Sequence, residues 1–358
     1  MQNFKIYLVS IGFLTLFAVW KWTNYQQVQP SSNIRLHPKI VGKWIVGKNE
    51  NLVGQQNDSD TIILQDAIDN ARSGEIILVR PGSYEITDSP KNNITIRGLT
   101  GDPEDVKINL NKGIEFKNQE VHLENMHIIL GANFNISFLI NNSTLNVDNV
   151  KFNLNNIPIN FYLTGNSELV SKNNHFIGNK QNTAIFLSDS SGLEAENNKF
   201  IKLKNAIETD HGKFNGRINL SNIEIALCTS AGIYLNGGIF QAENININQS
   251  ASGAIISGGA KGIFRQTHIS KNRQFGLDVL SGSKVKLELF NLDENLMAGI
   301  HTSGNESELT AENGVISNSK LAFYSEDQAT IKAQQFKIGP NVADQIKQSS
   351  NGQVFLSN

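Results

Sequence analysis

Apolar residues return along this chain at a nearly fixed interval. Ile114, Phe138, Ile159, Ile185, Ile207, Ile233, Ile255, Leu277, Ile300 and Phe323 lie 24, 21, 26, 22, 26, 22, 22, 23 and 23 residues apart. Around each return apolar and polar positions alternate with period two, as in a strand with one buried face. A strand that recurs at this period predicts a solenoid, in which each coil buries its apolar face only by stacking on the next. The segments AGIYLNGGIFQAENININQS (231–250), SGAIISGGAKGIFRQTHISK (252–271) and AGIHTSGNESELTAENGVISNS (298–319) share one order. A small residue leads into a short strand, followed by a Gly/Ser/Asn turn, a second strand and a corner containing Asn. No L-x-x-L-x-L pattern and no 3.6-residue period recurs, which excludes leucine-rich and helical repeats.

With the markers pointing inward, Leu235, Ser257, Val279 and Thr302 also point inward and the residues between them point out. Parallel strands stack ~4.8 Å apart, so each position becomes a ladder. A second ladder is predicted at the corners from Asn149, Asn174, Asn198, Asn222, Asn244, Gln266 and Asn313, because Asn tolerates left-handed backbone. The expected fold is an all-β, single-stranded parallel β-helix of about ten coils over 75–340, followed by a C-terminal tail or cap at 341–358.

The chain opens differently. One Lys precedes a 15-residue apolar run, Ile6–Trp20, and no A-x-A-like cleavage site follows. Residues 1–22 therefore read as a signal-anchor, with a cleaved signal peptide as the alternative; residues 23–34 read as a polar linker. The segment NDSDTIILQDAIDNARSGEIILVRPGSYEI (57–86) predicts a polar N-cap cluster, a helix from Thr61 to Arg72 and Gly74 as its C-cap. Such a helix covers the open end of the first coil, making 35–74 an N-terminal cap.

Composition narrows the partners. A net charge of −2 leaves no basic footprint, so nucleic acid is excluded as a partner. The single cysteine, Cys228, permits no internal disulfide and, within IEIALCTS (223–230), reads as a buried core thiol. His37, His122, His127, His175 and His268 lack metal-ligand spacing.

Ala67-Ile68, Gly74-Glu75-Ile76-Ile77, Val79-Arg80-Pro81-Gly82-Ser83-Tyr84 and NNITIRGL (92–99) resemble the opening of pectin-lyase-like right-handed parallel β-helix proteins. The coils 113–338 resemble theirs, so the likeness spans roughly 57–340. It implies right-handed coiling and carbohydrate lying along the outer face of the marker strands. It does not imply one activity, because lyases, hydrolases, epimerases, tailspikes and non-catalytic proteins share the fold.

On that outer face one column reads Glu115, Leu139, Asn160, Phe186, Glu208, Tyr234, Ile256, Asp278, His301 and Tyr324. Two residues further on, the parallel column reads Lys117, Asn141, Tyr162, Ser188, Asp210, Asn236, Gly258, Leu280, Ser303 and Glu326. Asp278, His301 and Tyr324 fall on three consecutive coils with Glu326 alongside. Asp can orient His, and His and Tyr can pass protons to a substrate. These three are the candidate catalytic residues, and Glu326, Tyr234, Glu208 and Asp210 the candidate substrate-binding ones. Glu208 and Asp210 stand ~6.6 Å apart on one strand, near the lower end of the inverting-glycosidase range. The blander alternative is that polar residues simply solvate the face.

No Lys or Arg lies in either column except the distant Lys117, whereas eliminases need a cation beside the uronate carboxylate. No resident cofactor or metal is read from the sequence. Ca²⁺ is left open, since the acidic half repels a polyanionic glycan unless a cation intervenes. The expectation is an exported, membrane-tethered β-helix in the periplasm or at the cell surface that binds or processes a polysaccharide. An enzyme of this kind is a lyase, epimerase or glycoside hydrolase. The alternative is a non-catalytic scaffold with a protein partner in the cell envelope.

Overall fold

The computed structural model describes residues 43–46, 63–131, 134–212 and 214–357. The signal-anchor, the linker, Thr61 and most of the cap segment lie outside them. The described chain is a right-handed parallel β-solenoid of about 12 turns, rather more than the ten expected. Strands of successive coils pair in parallel throughout, as in Phe138↔Phe161, Leu277↔Ile300 and Ile300↔Phe323. Among the described residues eleven strands, from Ile114–Lys117 to Asp344–Gln348, form the face that carries the marker positions. The rest of each coil supplies a second sheet, bent at the corner residues. The solenoid does not stop at 340: Asp344–Gln348 and Gln353–Ser357 add to both sheets.

The interior is apolar because every second strand residue is. Phe152, Phe176 and Phe200 stack coil on coil at 4.8 and 4.7 Å between ring centres, nearly coplanar at 6° and 5°. The helix Leu64–Asn70 closes the N-terminal end with Leu64, Ala67 and Ile68 buried. It is shorter than expected. Its N-cap is Ile63, with no side-chain cap, and its C-cap is Ala71. Gly74 lies beyond the helix in a left-handed turn at φ 86°.

Two markers are displaced. The inward partner of Phe138 and Ile185 is Phe161, two residues past Ile159. The partner of Ile233 and Leu277 is Ala254, not Ile255. Ile256 is therefore buried between Leu235 and Val279, and Ile255 turns outward. A one-residue slip exchanges the faces of a strand, so Ser257 leaves the inward set and Ile256 leaves the outward column. The short run Gly-Ala-Ile-Ile-Ser satisfies either parity.

The corners are polar ladders. Asn149, Asn222, Asn244, Gln266 and Asn313 have positive φ, as expected, but at two coils it is Asn173 (φ 56°) and Asn197 (φ 55°) that do, not Asn174 and Asn198. Those two are buried, and their amides donate to Val147 O at 2.9 Å and Ser171 O at 2.7 Å. At the opposite corner Ser250 N–H donates to Asn272 Oδ1 (2.9 Å), Asn272 Nδ2 to Asn295 Oδ1 (2.9 Å) and Asn295 N–H to Ser319 Oγ (3.2 Å). Each of these buried donors would cost ~1–3 kcal/mol if left unpaired. The ladders thus fix the phase of each coil where the apolar pattern leaves it ambiguous.

Candidate functional site

The corrected outward column runs Glu208, Tyr234, Ile255, Asp278, His301, Tyr324 and then Lys347. Tyr162, not Asn160, holds the upstream place between Leu139 and Phe186. Asn160 is wholly buried, with neither amide atom partnered. In the parallel column Thr164 replaces Tyr162 and Ser257 replaces Gly258.

Asp278, His301 and Tyr324 are brought together as register predicts, because Asp278 pairs with His301 and His301 with Tyr324. His301 Nδ1 is 2.7 Å from Asp278 Oδ1, and Nε2 is 3.3 Å from Glu326 Oε1. Serving both carboxylates requires a proton on each ring nitrogen. The imidazole also lies between two rings: Phe275 stacks on it at 4.4 Å and 19°, and Tyr324 at 4.8 Å and 38°. Only 6% of His301 and 7% of Asp278 is exposed, so this is a packed cluster rather than loose surface polarity.

Tyr324 Oη donates to Glu326 Oε2, which also accepts from Ser349 Oγ at 3.3 Å. The Tyr324 hydrogen bond, then the charge of His301, holds the Glu326 carboxyl below its ordinary range. Lys347 Nζ sits 4.3 Å over the Tyr324 ring, a cation–π contact. Asp278 and Tyr324 are two rungs apart, ~10 Å at strand spacing. The cluster is thus a continuous hydrogen-bonded run from Asp278 through His301 to Glu326, with Tyr324 and Ser349 donating to Glu326 at its outer end.

Glu208 is also buried, and its Oε2 accepts from Thr183 Oγ1 and Asn205 Nδ2, each at 2.8 Å. Asp210 accepts from Ser188 Oγ at 3.2 Å. Tyr234 lies between the two groups of acids. Burial first, and the negative charge of Glu208 next, push its hydroxyl above the ordinary value. His211 meets the Tyr234 ring edge-on at 5.3 Å. The seven candidates thus lie in two neighbouring columns but form two clusters, with Ile255 between Tyr234 and Asp278.

Sequence reasoning missed Phe275, Ser349 and Lys347. Lys347 was within reach, since Tyr324 plus the 23-residue step of the preceding coils lands on it. Among the described residues no group of three or more His, Cys, Asp or Glu could hold a metal ion, and no helix is long and apolar enough to cross a membrane.

The family described as "Right handed beta helix region" matches residues 211–358. No curated protein matches the chain by sequence. Among solved structures, the catalytic domain of a GH87 alpha-1,3-glucanase in complex with nigerose superposes with TM-score 0.63 at 12% identity, covering 90% of this chain and 69% of the other. The catalytic unit of a thermostable GH87 alpha-1,3-glucanase from Streptomyces thermodiastaticus strain HF3-3 gives TM-score 0.53 at 14% identity, with 82% and 64% covered. A PL6 alginate lyase in complex with a trisaccharide gives 0.51 at 12%, with 89% and 88% covered. At such identities the likeness speaks for architecture. The chain has the right-handed parallel β-helix fold.

Proposed function

We propose that this protein binds a polysaccharide along the outward column from Glu208 to Lys347 and processes it at the Asp278–His301–Tyr324–Glu326 cluster. The observation that carries the reading is His301, held through both ring nitrogens by carboxylates from neighbouring coils. Asp278 orients the ring, His301 carries the proton, and Tyr324 with Glu326 forms the opposing acid–base pair. Tyr234, Glu208 and Asp210 hold the chain upstream. Tyr offers an apolar face to sugar C–H groups and a polar tip to hydroxyls, and carboxylates accept strongly from hydroxyls. The polysaccharide-acting names of the structural neighbours support the same ligand class.

A glycan panel tests this, read for binding, for new reducing ends and for unsaturated products absorbing in the ultraviolet. Turnover that is lost in His301→Ala but kept in His175→Ala supports catalysis at the cluster. Binding without turnover reduces the proposal to recognition alone. Silence across the panel removes the saccharide reading. A protein-interaction role, served by the exposed Phe355 and Leu356 of the last described coil, then takes its place.

The same reading puts the solenoid outside the cytoplasm, anchored through the apolar run Ile6–Trp20. Recovery of the native protein in the soluble cytosolic fraction would refute that placement.

A further inference from the structure

The charge along the outward columns is lopsided. Glu208, Asp210, Asp278 and Glu326 contribute four carboxylates, whereas among the described residues the same rungs offer one lysine, Lys347, drawn over the Tyr324 ring at the far end. His301 adds no free cation, because both its nitrogens face carboxylates of the cluster. Lys204 Nζ stands 3.9 Å from Glu208, and the Arg273 guanidinium donates to Thr229 O at 3.3 Å on another turn. These acids bracket the middle of the face, with Glu208 one rung from Tyr234 and Asp278 two.

A polyuronate carries a carboxylate on every sugar. Laid on this face, it would place those charges within a rung or two of the four acids, inside the ~8 Å over which physiological salt leaves charges unscreened. Elimination or epimerisation beside that carboxylate would further need it neutralised, and Lys347 serves only the last rung. A chain of hydroxyls meets no such obstacle. Its O–H groups donate to the carboxylates, and its C–H faces lie on Tyr234, Ile255, Phe275 and Tyr324. We infer that the ligand of this face is an uncharged glycan and that polyuronates are rejected by it. This rests on the saccharide reading above and sharpens it.

The test compares binding of the full chain to uncharged polymers (α- and β-glucans, xylan, mannan) with binding to polygalacturonate and alginate. It is run at low and high ionic strength, with Ca²⁺ and with a chelator. The expected result is at least a ~tenfold preference for an uncharged polymer at low salt, narrowing as salt rises. The Glu208→Gln/Asp210→Asn double variant should narrow it too, by admitting polyuronate. Polyuronate binding as tight as that of the best uncharged glycan, with or without Ca²⁺, overturns the inference and leaves the saccharide reading standing. Binding to no glycan at all overturns both.

Discussion

Ile255 and Ile256 are chemically identical neighbours with opposite structural roles, and truncating each in turn measures the register directly. Ile256 is fully buried between Leu235 and Val279. Ile256→Ala removes methyl and methylene groups from a packed interior and leaves a cavity, a change that costs ~2–5 kcal/mol. Ile255 is outward and partly exposed, between Tyr234 and Asp278; Ile255→Ala should cost no more than ~1 kcal/mol. Urea denaturation followed by circular dichroism gives both values against the parent, provided the slopes of the transitions agree. A solenoid is coupled mainly between neighbouring coils, so Ile256→Ala should also loosen 231–303 before the rest. Hydrogen exchange would reveal that as early exposure of these strands. Should Ile255→Ala prove as damaging as Ile256→Ala, the facing of Ser252–Ser257 is wrong, and with it the column that leads to Asp278.

Burial pushes the Cys228 thiol from 9.0 up to about 11. A folded pKa raised above the unfolded value means stability that is complete below pH 9.0 and is lost as pH rises through about 11. Cys228→Ala should flatten that alkaline loss in thermal melts taken across the range. Glu326 behaves oppositely. Its carboxyl is held below 4.5 by Tyr324, so its contribution is present above pH 4.5 and fades as pH falls through the lower folded value. Tyr324→Phe should therefore destabilise at neutral pH but converge with the parent in acid. Gly253→Ala would put a Cβ 2.3 Å from Ile269 Cγ2 and 2.4 Å from Gly276 O; a loss of ~1–3 kcal/mol in denaturant melts is expected. Asn272→Ala strips the acceptor from Ser250 N–H, costing ~1–3 kcal/mol by the same assay.

What the sequence reveals depends on how much each stretch restricts its own register. Leu277, Ile300 and Phe323 each follow a small residue and precede a titratable one at an unbroken 23-residue step, so Asp278, His301 and Tyr324 could be aligned from the sequence alone. Ile159-Asn160-Phe161 offers two apolar residues of the same parity, and Ala254-Ile255-Ile256 offers three in a row. There the apolar pattern alone cannot choose, and the buried amide ladders decide. Paired asparagines at 173–174 and 197–198 hide which one turns the corner, since either tolerates positive φ. The contact from His301 to Glu326 was beyond sequence reading for another reason: it depends on how far two side chains lean toward each other, which periodicity does not encode.

Asp278 and His301 belong to different coils, and their partnership exists only because those coils are adjacent. A coil inserted between them would leave the solenoid able to fold, since each unit needs only a complementary neighbour. It would nevertheless separate the acid from the imidazole. Upstream of Glu208 the situation is reversed, because coils gained or lost there carry the whole cluster along as cargo. Changes in the number of N-terminal coils can therefore lengthen or shorten the outward face, while the spacing of Asp278, His301 and Tyr324 stays untouched by them.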